Sequence, residues 1–122
     1  MAYGNWDEII AEYQEMFSKS PRTREHALEM LSLIPSIRNN PAFQTVIPIT
    51  SHAKLFLEVP QKRTRIGVWY EKGVYTINLY DPSLSDAELT HYDSEVTSVD
   101  ADQVILVLES YLRKVSTNER YP

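Results

Sequence analysis

The chain has 122 residues, of which 43% are hydrophobic and 24% charged, and this fits one soluble globular domain. It has no cysteine, which excludes disulfides, thiolate metal sites and a thiol nucleophile. The net charge of −5 argues against nucleic acid as the main partner. No apolar run reaches the ~18–20 residues of a membrane span, and the first residues lack a secretory pattern, so we expect a cytoplasmic protein with no membrane partner.

The N-terminal part of the chain predicts a helical hairpin. Apolar residues recur at helical spacing through residues 6–17, and Asn5 precedes them in the position of an N-terminal cap. A second helix is expected over residues 21–34, with Pro21 as its first residue and Pro35 as its end. The short connection favours an antiparallel pair of helices.

The clearest element is a β-hairpin at Arg65–Tyr80, with Lys72 and Gly73 at its tip. Side chains alternate between the two faces of a strand, and here the alternation separates an apolar face from a second face of different character. We call the second one the mixed face. In this hairpin it consists of Arg65, Gly67, Trp69, Thr76, Asn78 and Tyr80.

Further strands are expected on both sides of this hairpin. Lys54–Val59 alternates cleanly, and matching its apolar side chains to the apolar face places Phe56 opposite Gly67 on the mixed face. Val46–Thr50 contains a proline and can be at most an edge strand. Thr90–Val99 is expected to supply the last strand. The sequence therefore predicts an antiparallel meander of about four strands.

A C-terminal helix is predicted after Asp100, where apolar residues recur on one face up to Val115. We expect it to pack on the apolar face of the sheet and residues 116–122 to form a mobile tail. The predicted fold is α+β in one domain, residues 1–122. The N-terminal helices either join the C-terminal helix on the apolar face or cover part of the mixed face.

No motif supports an enzymatic role. The chain has three glycines and no glycine-rich phosphate loop, and no serine lies in a nucleophile-elbow motif. His26, His52 and His91 are far apart in sequence, and histidines in this setting are more often surface or hydrogen-bonded residues than metal ligands. We therefore predict no catalytic residue, no metal and no cofactor.

A binding surface is expected on the mixed face. Phe56, Trp69 and Tyr80 supply aromatic surface there, while Arg65 and Asn78 supply hydrogen-bonding groups. Aromatic residues and arginine are the usual anchors of protein interfaces. The alternative is that the N-terminal helices cover this face and make it a second core layer.

A second candidate surface is acidic. From Asp81 to Asp102 the chain has carboxylates but no lysine or arginine. Such a segment can dock a basic partner, although helix caps and a solvated loop produce the same pattern. The residues expected to take part are Asp86, Glu88, Asp93 and Glu95.

These features favour a small, non-enzymatic protein-binding module with a regulatory, adaptor or immunity-type inhibitor role. It would use the mixed face, the acidic segment, or both, against a protein partner that is basic where it meets the carboxylates. The alternative is a small-ligand-binding protein, with or without catalysis, whose pocket lies between the mixed face and the N-terminal helices and is lined by Phe56, Trp69, Asn78 and Tyr80. A homodimer formed through an exposed sheet face or edge is a third hypothesis.

Overall fold

The structure is a computed structural model that describes residues 2–60, 62–81, 93–97 and 100–116. Its helices are α1 (Trp6–Lys19), α2 (Arg24–Arg38) and α3 (Ala101–Ser116), and its strands are β1 (Ile47–Ser51), β2 (Lys54–Val59), β3 (Thr64–Glu71), β4 (Val74–Tyr80) and β5 (Ser94–Thr97). The strands form one antiparallel sheet in the order β1-β2-β3-β4-β5. The predicted α+β fold is confirmed. Strand β1 forms one edge of the sheet, which gives the meander five strands where the sequence predicted about four.

Helix α1 begins where the sequence predicts. The side chain of Asn5 accepts hydrogen bonds from the backbone N–H groups of Asp7 and Glu8, at 2.9 and 3.2 Å. These bonds satisfy amides that have no partner within the helix. The helix runs two residues beyond the predicted end, to Lys19.

Both predicted ends of the second helix are wrong. A turn occupies residues 21–23, and α2 begins only at Arg24, because Ser20 instead closes α1 as its C-terminal cap. The helix also passes through Pro35 and ends at Arg38. Proline removes one intrahelical hydrogen bond, but ending the helix there would withdraw Ile37, which is fully buried in the core.

The predicted strand register is confirmed. Tyr70 lies opposite Tyr75 in the β3–β4 hairpin, and Phe56 lies opposite Gly67 between β2 and β3. At the hairpin tip Lys72 has a φ of 52° and Gly73 a φ of 85°. A tight turn of this kind requires left-handed backbone at both positions, which glycine adopts without strain.

All three α-helices in the described part of the chain pack on the apolar face of the sheet. Tyr70 and Tyr75, which belong to that face, donate hydrogen bonds from their hydroxyl groups to the carboxylates of Glu25 and Glu29 on α2, at 2.9 and 2.8 Å. On α3, the Tyr111 hydroxyl bonds the Ser94 hydroxyl of β5 at 2.8 Å. The shared core includes Ile9, Tyr13, Ala27, Met30, Ile34, Leu55, Leu57, Ile66, Val68, Ile77, Leu79, Val104 and Leu108.

Residues 2–4 lie along the outer edge of β1. The Gly4 N–H donates to the Pro48 carbonyl at 2.7 Å, the Thr50 N–H donates to the Ala2 carbonyl at 2.9 Å, and Tyr3 pairs with Ile49. These contacts cover an edge that would otherwise present unpaired backbone groups. None of the described helices has the length and hydrophobicity needed to cross a bilayer.

We expect the free energy of unfolding to fall as the pH rises above about 10, the ordinary pKa of tyrosine. Burial raises the pKa of Tyr13, to which the charge of Glu12 adds, and burial raises the pKa of Tyr75, to which its hydrogen bond with Glu29 adds. The folded chain therefore keeps phenol protons that the unfolded chain loses. Stability that is complete below about pH 10 is lost above it, by up to about 1.4 kcal/mol per pH unit for each tyrosine.

Urea unfolding at a series of alkaline pH values measures this dependence. The double variant Tyr13→Phe/Tyr75→Phe should show a flatter decline than the wild type, although it is less stable near neutral pH. Tyr3→Phe removes a phenol that is 57% exposed and serves as the control. An unchanged decline in the double variant would contradict the role given to the two buried tyrosines.

Candidate functional site

The centre of the mixed face is an aromatic cluster built over a glycine. The rings of Phe56 and Tyr80 meet edge to face, with their centroids 5.5 Å apart. A Cβ atom on Gly67 would lie 2.9 Å from Tyr80 Cε2, 2.9 Å from Asn78 Oδ1 and 3.2 Å from Phe56 Cε1. Glycine at this position therefore lets three neighbouring side chains close over the strand.

Asn78 lies within this cluster and has an unusual environment. Its Oδ1 atom is buried and, among the described residues, it is the only buried side-chain polar atom without a hydrogen-bond partner. A buried acceptor that is left unpaired costs about 1–3 kcal/mol. The mixed face therefore holds one polar atom that still needs a donor.

Charged side chains flank the aromatic cluster. The ammonium of Lys54 lies over the Trp69 ring, 4.1 Å from its centroid. Glu58 holds Arg65 through an ion pair of 3.0 Å, as the predicted register implies, and also accepts from the Tyr3 hydroxyl at 3.2 Å. Phe56, Trp69, Asn78 and Tyr80 are each partly exposed, and Arg65 is exposed. The five mixed-face residues selected from the sequence thus lie together on one surface.

The acidic segment is described in part. Asp93 and Glu95 are exposed, and Glu95 lies opposite Thr76, which places it on the mixed face at the β5 edge. Asp86 and Glu88 lie outside the described residues. The structure therefore places one carboxylate of the acidic segment, Glu95, on the mixed face.

His26 has a structural role that the sequence analysis did not assign to it. Its Nδ1 lies 2.5 Å from the Tyr70 carbonyl oxygen, and its Nε2 lies 2.8 Å from the Ala53 carbonyl oxygen. A carbonyl oxygen can only accept, so a protonated ring nitrogen donates each of these bonds, and the tautomer decides which nitrogen carries the proton. The Tyr13 hydroxyl donates to the same Ala53 oxygen at 3.0 Å.

His26 fixes the β1–β2 turn to helix α2 and to strand β3. The pairing of β2 with β3 ends at Leu55 and Val68, so Tyr70 extends past the β2 ladder and His26 takes its carbonyl instead. His52 and Ala53 form the turn with φ of 51° and 69°, a left-handed conformation that costs a non-glycine residue energy. The contacts from His26 and Tyr13 help to hold that turn in place.

Two cavities, each of about 470 Å³, flank this turn. The first lies beside α1, where Glu12 accepts a hydrogen bond from Thr50. Burial tends to raise the pKa of Glu12, but the hydrogen bonds to its carboxylate, including the one from Thr50, outweigh this and hold the pKa below its usual value. The second lies between the start of α2 and the Trp69 end of the sheet.

The second cavity differs from the pocket that the sequence suggested. The N-terminal helices lie on the apolar face, so of Phe56, Trp69, Asn78 and Tyr80 only Trp69 lines it. The cavity forms instead beside the first residue of β2, where Tyr70 of β3 extends past the β2 ladder. Within the described ranges, no three side chains of the metal-ligating types come together.

Comparisons with protein-family models, curated proteins and solved structures found no match. The function is therefore argued from the residues and the geometry of these two regions.

Proposed function

We propose that this protein is a non-enzymatic binding module of the cytoplasm whose mixed face docks a protein partner. The observation that carries the proposal is the placement of all three described helices on the apolar face. In the described part of the chain, that placement leaves Phe56, Trp69 and Tyr80 on the opposite side of the sheet. Tyrosine and tryptophan contribute much of the binding energy in protein interfaces.

The chemistry of the face indicates what the partner must supply. An apolar group would fit against the ring pair of Phe56 and Tyr80. At the β5 edge, Asp93 and Glu95 would face basic side chains of the partner. A regulatory, adaptor or inhibitor role suits such a surface, because each of these roles needs one partner bound by contact alone.

Affinity capture with the purified protein tests the proposal. Phe56→Ala and Tyr80→Ala should each weaken capture of the native partner about thirtyfold, because truncation of an interface anchor costs about 2 kcal/mol. Leu28→Ala and Leu106→Ala remove apolar side chains that are 51% and 55% exposed on helices, and they should capture as the wild type does. Unchanged capture by both aromatic variants, with native circular dichroism, would refute the proposal.

The acidic contribution is tested separately. Reversing the charges of Asp86, Glu88, Asp93 and Glu95 together should abolish capture while the protein stays folded. If capture persists, the aromatic face acts without the carboxylates. Sedimentation of the purified protein at high concentration tests whether the partner is a second copy of the chain. A monomer would exclude the homodimer.

A further inference from the structure

The second cavity, between α2 and the Trp69 end of the sheet, combines side chains from three separate parts of the chain. Arg22 precedes α2, His26 lies on α2, Lys54 begins β2 and Lys72 lies in the β3–β4 turn. This grouping cannot be read from the sequence, because the residues come together only when the β1–β2 turn docks against α2. His26 makes that docking through its bonds to Ala53 and Tyr70.

The lining of this cavity is positive in a protein that is negative as a whole. Arg22, Lys54 and Lys72 supply three positive charges, and Glu25 and Glu71 supply the two negative ones. With histidines counted as neutral in both cases, the local balance is +1, while the chain carries −5. A concave site lined by one sign of charge concentrates ions of the opposite sign.

The cationic groups are available to a ligand. In the described part of the chain, Arg22, Lys54 and Lys72 form no ion pair, and Lys54 is held against the Trp69 ring. Of the two carboxylates, Glu25 already accepts from the Tyr70 hydroxyl at 2.9 Å. An anion entering the cavity would therefore meet three unpaired cations.

The size and walls of the cavity indicate a small ligand with an organic part. Its volume of about 470 Å³ lies within the range of small-molecule sites. Trp69 supplies an aromatic wall next to the cations. A ligand with a flat apolar group and a doubly charged anionic group would match both the wall and the three cations.

We propose that this cavity binds a small phosphomonoester, with its dianionic phosphate among Arg22, Lys54 and Lys72 and its organic group against Trp69. Arginine and lysine are the side chains that most often bind phosphate oxygens in proteins. This site is separate from the Phe56 and Tyr80 surface, so it adds a ligand function to the protein-binding one. The phosphate ester would lie at the end of the sheet and would contact Trp69, which belongs to the mixed face.

Heteronuclear NMR of the indole N–H signals tests the proposal, because the chain has two tryptophans. Titration with phenyl phosphate should shift the Trp69 signal saturably and leave the Trp6 signal unchanged. Trp6→Phe assigns the two signals. Benzoate, inorganic phosphate and benzyl alcohol are the comparison ligands, because each lacks either the second charge, the ring or the anion, and each should bind more weakly than phenyl phosphate.

Variants of the cations locate the phosphate. Arg22→Ala and Lys72→Ala should each weaken phenyl phosphate binding about tenfold, as expected for the loss of one charged hydrogen bond. Arg38→Ala removes the same charge at the other end of α2, where Arg38 pairs with Asp7 on the surface, and should bind as the wild type does.

Several outcomes would overturn the proposal. They are the absence of a saturable Trp69 shift, wild-type affinity in both Arg22→Ala and Lys72→Ala, and equal affinity for benzoate or inorganic phosphate. The indole spectrum of each variant shows whether it is folded. None of these outcomes bears on partner capture, which is tested through Phe56 and Tyr80.

Discussion

Replacing His26 with alanine is expected to lower the free energy of unfolding by about 2 kcal/mol, because a buried polar group that loses its hydrogen-bond partner costs about 1–3 kcal/mol. The carbonyls of Ala53 and Tyr70 lose the ring nitrogens that lie 2.8 and 2.5 Å away. The β1–β2 turn then keeps only the Tyr13 hydroxyl as a side-chain anchor on Ala53. Urea unfolding followed by circular dichroism measures the loss.

His52→Asn is the matched control for this variant. It also removes an imidazole, and asparagine tolerates the left-handed backbone of position 52, where φ is 51°. We expect a change within about 0.5 kcal/mol of the wild type. Equal stability of the two variants would contradict the role given to the His26 contacts.

Replacing Gly67 with valine is expected to cost about 2 kcal/mol, as overpacking typically does, and to displace the aromatic cluster. The new Cβ would approach Tyr80 Cε2 and Asn78 Oδ1 to 2.9 Å, so both side chains and Phe56 would have to move. This loss of stability is a net value, because the strand preference of a β-branched residue offsets part of the overpacking. Denaturation measures the stability, and NMR shifts of the two rings measure the displacement.

Thr76→Val is the control for Gly67→Val, because it places the same β-branched side chain on the same face of the adjacent strand. Thr76 lies opposite Trp69, away from the glycine, and the substitution should change stability by less than about 0.5 kcal/mol. Tyr80→Ala should relieve part of the strain, so the double variant should be more stable than the sum of the single effects. A Gly67→Val variant with native stability and unchanged ring shifts would show that the rings do not close over position 67.

The strand register was predictable because it depends on local information. Alternation with period two fixes which side chains share a face, and a one-residue slip would invert every one of them. The turn at Lys72 and Gly73 then sets the pairing, and the match of Phe56 to Gly67 follows from it. The membership of the mixed face came from the same alternation.

Other features depend on contacts between distant parts of the chain, and these contacts could not be predicted from the sequence alone. The end of α2 depends on whether Ile37 reaches the core, which outweighs the local preference of Pro35 to stop a helix. The role of His26 depends on backbone carbonyls of residues 53 and 70, and a backbone carbonyl has no sequence signature. The apolar stripes of α1 and α2 likewise do not indicate which face of the sheet these helices cover.

The segment of residues 2–4 along β1 gives the fold an order of assembly. Every pair of strands in the meander is adjacent in sequence, so the sheet can form by successive short loop closures. The contact of Ala2 with Thr50, in contrast, joins residues 48 positions apart. Closing so long a loop costs more chain entropy before its hydrogen bonds compensate. We therefore expect the N-terminal segment to dock after the hairpins have formed and to be the first part of the sheet edge to open.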